Sequence, residues 1–99
     1  MSAVAKGRRN QRRTTKMLEA IGFKCVTARF GRFGPTDFFG LWDCWCVKDD
    51  EWLLIQVSTN QRKGLEWREQ AGLFVCPAGV KKEEWVWVDY EKEPKIYLI

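Results

Sequence analysis

Ninety-nine residues with 45% apolar side chains, six Trp and six Phe among them, suffice for one hydrophobic core and leave no room for a second, so residues 1–99 read as a single domain. No apolar run approaches the ~20 residues of a membrane span, and the opening MSAVAKGRRNQRR lacks the apolar stretch of a secretory signal, so an intracellular, cytoplasmic protein is expected. The net charge of +4 is unevenly spread: residues 1–32 hold nine Lys or Arg against Glu19 alone, whereas residues 33–99 hold eight basic and twelve acidic residues.

Residues 1–6 read as a flexible end. From Gly7 to Ile21 the chain is polar and helix-compatible, with Gly22 placed to stop it. Its inward stripe at helical spacing is Thr14, Met17, Leu18 and Ile21, and extends backwards to Gln11. Arg8, Arg9, Arg12, Arg13 and Lys16 cover much of the remaining helix surface. A basic face of this kind fits a polyanion such as DNA, because phosphate neutralisation releases counterions; the competing reading is a solvated helix face.

Phe23 to Arg29 (FKCVTAR) predicts a first strand, and the glycine-containing stretch Phe30 to Gly40, which carries Arg32, predicts a loop. Leu41 to Lys48 and Glu51 to Ser58 predict two strands joined at Asp49-Asp50, which suits a tight hairpin. Asn60 to Gly72 predicts a shorter helix, with Asn60 as its cap and Gly72 as its terminator. Leu73 to Cys76 predicts a fourth strand, and Glu84 to Tyr90 with Lys95 to Ile99 a closing hairpin. Trp85 and Trp87 share a face of that hairpin and read as core rather than as base-stacking platforms. The order is α/β, with a mixed central sheet flanked by helices (αβββαβ) followed by a C-terminal β-hairpin.

Cys25, Cys44, Cys46 and Cys76 contain no CxxC pair and the chain has no histidine, so no zinc-ligand spacing is present. Cys44 and Cys46, two apart in a strand, read as reduced thiols buried on one face. Polar residues at the end of the next strand are less ordinary. In Leu53-Leu54-Ile55-Gln56-Val57-Ser58, alternation sets Gln56 and Ser58 on one face and Ile55 and Val57 on the other. Asp43 lies in the preceding strand, so one carboxylate is able to face two polar side chains.

An acid early in one strand, then polar-x-polar closing the next, resembles the PD-(D/E)xK nuclease motif. The likeness is to archaeal Holliday-junction resolvases and to small phage or prokaryotic endonuclease-like proteins. Gly22-Phe23 is similar to the Gly-Phe pair that opens the first strand of those resolvases, and their helix acid falls at Gln11. Their aspartate falls at Asp43, their second acid at Gln56 and their lysine at Ser58. The resemblance covers roughly residues 7–76 and implies a restriction-endonuclease-like fold, Mg²⁺ (or Mn²⁺), and hydrolysis of branched or structured DNA. It implies metal ligation by Asp43, the Gln56 amide oxygen and the Val57 carbonyl. Resolvases pair two active sites across a junction, which implies a homodimer.

Three motif positions depart from the pattern. Gln11 and Gln56 are neutral where acids are usual, and Ser58 carries no positive charge. Asp37, in a Gly/Pro loop, is either a second carboxylate for the metal or a turn residue. Lys63 or Arg62 is either a substitute cation or a helix-surface charge; Arg62, with Arg29 and Arg32, also joins the expected phosphate contacts. Two further readings stand beside the nuclease: a DNA-binding protein on an inactivated scaffold, and a protein-interaction module.

Overall fold

The computed structural model describes residues 2–28, 30–31, 34–35 and 37–99, with 30, 31, 34 and 35 described for their backbone alone. Arg29 and Arg32, two of the expected phosphate contacts, lie outside the described residues. The first helix, α1 (Ala3–Ala20), starts earlier than Gly7 because Ser2 caps it: its hydroxyl accepts the Ala5 N–H at 3.1 Å. Lys6 also pairs with Asp89 at 2.7 Å, tying the first turns to the far end of the chain. The end falls where glycine predicts it. Gly22 adopts φ +102°, its N–H donates to Glu19 C=O at 3.1 Å, and Phe23 N–H donates to Leu18 C=O at 3.0 Å, a Schellman closure.

The buried stripe of α1 is Asn10, Thr14 and Leu18, while Met17 and Ile21 are 42% and 60% exposed and Gln11 is half-buried. Thr14 and Leu18 are the expected members; Asn10 joins them in place of Met17 and Ile21, because the sheet beneath offers polar side chains hydrogen-bond partners. Asn10 Nδ2 donates to Thr59 Oγ1 at 2.9 Å, and Thr14 Oγ1 accepts the Trp87 indole N–H at 2.8 Å. A reading that scores only hydrophobicity misses such a stripe.

The sheet is built from β1 (Lys24–Thr27), β4 (Cys44–Lys48), β5 (Glu51–Thr59), β6 (Val80–Trp87) and β7 (Lys95–Leu98), in that spatial order. Between β1 and β4, two short strands, β2 (Phe30–Gly31) and β3 (Gly34–Pro35), form their own antiparallel ladder within the expected loop. β1, β4 and β5 run antiparallel, β5 and β6 parallel, and β6 and β7 antiparallel. The parallel step needs a crossover, which the second helix, α2 (Leu65–Leu73), supplies. The β4–β5 turn is the predicted one: Lys48 pairs with Glu51 around Asp49-Asp50, and Asp49 takes φ +50°, which a short polar side chain tolerates.

Other boundaries differ from expectation, and β4 begins at Cys44 rather than Leu41, so that Asp43 sits just ahead of the strand. α2 begins at Leu65 after the Gly64 cap, not at Asn60; Asn60 has φ +66° and is tied to the end of β6 through its N–H to Trp87 C=O at 2.7 Å. The expected strand 73–76 is absent: Leu73 closes α2, and the strand after it starts at Val80. That strand includes Lys81 to Glu84, a charged run that reads as surface in the sequence. Its inner members have partners here, since Lys82 Nζ donates to the carbonyls of Ala71 and Phe74, both at 2.7 Å, and Glu84 is enclosed.

The sheet is covered on both faces. Under α1 lie Leu18, Phe23, Cys44, Cys46, Leu53, Ile55, Val57, Trp85 and Trp87. Under α2 and the 38–42 turn lie Leu41, Trp42, Leu54 and Ala71, flanked by Phe38, Trp67 and Phe74. Trp85 and Trp87 are therefore core, and Cys44 and Cys46 are buried free thiols whose pKa values burial pushes up. No helix among the described residues is long and apolar enough to cross a membrane.

Candidate functional site

The site forms where β5 outruns β4. Their pairing stops at Cys44 opposite Ile55, yet β5 continues to Thr59 with β6 on its other side. The Val57 N–H, left without a strand partner, donates to Asp43 Oδ2 at 3.0 Å. Asp43 is itself fixed from both flanks: its N–H donates to Ile55 C=O and its C=O accepts Ala28 N–H, each at 2.8 Å. Its carboxylate therefore stands in for a ladder acceptor at the sheet's frayed seam.

A tight turn returns Asp37 to the same place. Phe38 and Trp42 close a bridge, with Phe38 N–H to Trp42 C=O at 2.8 Å, while Phe39 and Gly40 take φ +56° and +71°. Gly40 adopts that conformation without strain, which lets the chain reverse within a few residues. Trp67, from α2, donates its indole N–H to Leu41 C=O at 3.1 Å and pins the turn against the helix. The Asp37 carboxyl thus comes within hydrogen-bonding reach of Asp43.

Asp43 is only 7% exposed. Burial and the adjacent Asp37 carboxyl push its pKa up to about 7, against the Val57 N–H and the Lys63 ammonium, which favour the charged form. Lys63 itself is exposed on the turn leading into α2. Gln56 is 4% exposed, and its Nε2 donates to Val57 C=O at 2.9 Å. Its Oε1 has no protein partner among the described residues. Gln56 and Val57 line an open polar groove of about 340 Å³ with Ser58, Thr59, Gln61, Arg62, Lys63 and Gly64.

Ser58 turns toward β6. Its hydroxyl donates to Glu84 Oε2 at 2.8 Å, and the same carboxylate accepts Lys63 N–H at 2.7 Å and Arg62 Nε at 2.8 Å. Glu84 is 0% exposed, and the Arg62 guanidinium also lies over the Tyr97 ring at 4.1 Å. Glu84 was not among the residues the sequence singled out. The available signal was alternation: if Trp85 and Trp87 point to one face, Glu84 points to the other, and a parallel neighbour sets it opposite Gln56.

The fold brings together Asp43, Asp37, Gln56, the Val57 carbonyl and Lys63. It does not bring Gln11 to them, because α1 packs on the opposite face of the sheet, and no hydrogen bond joins Gln11 to these residues. Arg8, Arg9, Arg12 and Lys16 are exposed on α1. Arg13 is a packing residue instead: its guanidinium lies 4.0 Å over the Trp87 ring and donates to Glu91 C=O at 3.2 Å. The Asn10–Thr59 and Lys6–Asp89 contacts set the first half of α1 at the same end of the sheet as the polar groove.

All donors in this cluster are oxygens, the set that Mg²⁺ and Mn²⁺ prefer. Only two are carboxylates, and no group of three His, Cys, Asp or Glu side chains placed to hold a metal occurs among the described residues. A second, apolar cleft of about 620 Å³ opens beside Asp37, between Phe38, Phe39, Trp45, Trp52 and Phe74. Compared with family models, curated proteins and solved structures, the chain matches none.

Proposed function

We propose that this chain is a metal-dependent nuclease domain of the PD-(D/E)xK type that hydrolyses phosphodiester bonds in branched or structured DNA. The observation that carries this reading is the meeting of Asp43 and Asp37 beside the Gln56 amide and the Val57 carbonyl, at the end of two adjacent strands. The order α1, β1, β4, β5, α2, β6 supports it, being the αβββαβ order that the motif implies.

The residues present fit a divalent cation. Two carboxyls held within hydrogen-bonding reach repel once both are ionised, and one of them already titrates near 7; a cation between them relieves that repulsion. Asp43, Asp37, Gln56 Oε1 and the Val57 carbonyl would hold it. When bound, such an ion polarises the scissile phosphate and lowers the pKa of the attacking water. The chain's own residues do the rest. Val57 N–H orients the Asp43 carboxylate. Lys63 supplies the positive charge that Ser58 lacks, from the rim of the groove. Arg9, Arg12 and Lys16 hold flanking phosphates without reading sequence. A homodimer would present two such sites to a junction.

Two observations favour other readings. The Ser58 hydroxyl is committed to Glu84 and the Gln56 amide to Val57 C=O, which favours a DNA-binding scaffold that no longer cuts. The aromatic cleft beside Asp37 favours a protein-interaction module. One assay separates them: four-way junction, fork and duplex DNA incubated with Mn²⁺ and either the wild type or Asp43→Asn, with binding followed at several salt concentrations. Cleavage of a branched substrate, reduced at least a hundredfold by the substitution, is expected. Cleavage that survives Asp43→Asn rejects the site, salt-dependent binding without cutting supports the scaffold, and absence of DNA binding leaves the interaction module.

A further inference from the structure

The Glu84 carboxylate is fully enclosed, on the strand parallel to β5 and opposite Gln56, and its hydrogen bonds go to Ser58, Arg62 and Lys63 rather than to Asp43. Burying a carboxylate is costly unless it is paired and hydrogen-bonded. Here three donors meet it, the Ser58 hydroxyl, the Arg62 Nε and the Lys63 N–H, and two of them belong to consecutive residues of the turn between β5 and α2. The start of that turn is held by Asn60, which donates to Trp87 C=O at 2.7 Å and accepts Asp89 N–H at 2.8 Å, so Glu84 fixes its second half. Gly64 caps α2 without a side chain, Asn60 sits at φ +66°, and Gln61, Lys63 and Gly64 are exposed. The Lys63 backbone is thus held by Glu84, and Lys63 lines the polar groove together with Gln56 and Val57.

We propose that Glu84 is a positioning residue: through its bonds to Arg62 and the Lys63 backbone it sets the β5–α2 turn so that Lys63 is held at the rim of the groove beside Gln56 and Val57, in place of the cation missing at Ser58. The proposal rests on the nuclease reading for its consequence in catalysis, but the geometric step does not. The Glu84 hydrogen bonds go to Ser58, Arg62 and Lys63 and to none of the proposed metal ligands, so it acts through Lys63.

A double-mutant cycle reads this directly. Cleavage kcat/KM is measured for the wild type, Glu84→Gln, Lys63→Ala and the double variant, with Asp43→Asn as the control for the site itself. Each single change is expected to lower kcat/KM at least tenfold, and the double variant to lie within threefold of Lys63→Ala. A Glu84→Gln protein that cuts within threefold of wild type, or losses that multiply in the double variant, overturns the proposal while loss of cutting in Asp43→Asn keeps the nuclease reading. One further measurement needs no cleavage. In the wild type, the Lys63 amide should exchange with solvent as slowly as the amides of β6, and fast exchange overturns the clamp even if Glu84→Gln does not fold.

Discussion

Asp43 is pulled in two directions. The Val57 N–H favours its charged form, whereas burial and Asp37 favour the neutral one, and the neutral form prevails up to about pH 7. In the unfolded chain an aspartate titrates near ~3.9. Between these values the folded protein holds a proton that the unfolded chain has released, so the stabilising contribution is full below about pH 4 and is lost as pH rises through 7. Urea midpoints measured from pH 4.5 to 8 should therefore fall with rising pH in the wild type more steeply than in Asp43→Asn; equal slopes would show that Asp43 titrates normally. Strand alternation and one hairpin sufficed to put Gln56 and Ser58 on one face of β5, but not to show that the Ser58 hydroxyl turns to Glu84 rather than to Asp43. Asp37 was legible as a loop acid near two glycines, but its return to Asp43 depends on the left-handed Phe39-Gly40 turn. Glu84 was hidden in the run Lys81-Lys82-Glu83-Glu84, where charge reads as solvent exposure and burial depends on partners from a distant turn.

At the scale of elements, the α1–sheet contact hinges on a hydrogen bond that hydrophobic periodicity does not register. Thr14 Oγ1 accepts the Trp87 indole N–H at 2.8 Å in a place with no access to water. Thr14→Val keeps the shape and leaves that N–H unsatisfied, at a cost of about 1–3 kcal/mol. For a domain of this size each kcal/mol corresponds to roughly 4–8 °C. A thermal melt should fall accordingly, whereas an unchanged Tm would mean that the indole finds another acceptor. The same physics explains which elements were legible. The first helix end, the Asp49-Asp50 turn, the strand pair around it and the closing antiparallel pair follow from local glycine, aspartate and alternation signals. The start of α2 and the start of β6 do not. Asn60 has the chemistry of a cap but spends its backbone on β6, and β6 opens with charged residues that only the folded sheet neutralises.

For the whole molecule, the sequence's charge split becomes a spatial one. The exposed cations of α1 lie on one face of the sheet and the Asp37–Asp43 pair is reached from the other, with both arriving at the end where β5 outruns β4. The +8 balance of residues 1–32 was readable by counting, and the separation of Gln11 from the acids was not, since it depends on which face the helix takes. A DNA backbone laid across that end would meet the arginines and the oxygen cluster together. The nuclease reading requires that cluster to hold a divalent cation. Calorimetric titration of Mn²⁺ into the wild type and Asp43→Asn at pH 6.5, in two buffers of different ionisation heat, tests it. One site per chain is predicted, with release of a proton because the cation displaces it from the Asp37–Asp43 pair, and with binding abolished by the substitution. Absence of binding in the wild type, or binding that Asp43→Asn leaves intact, would contradict it.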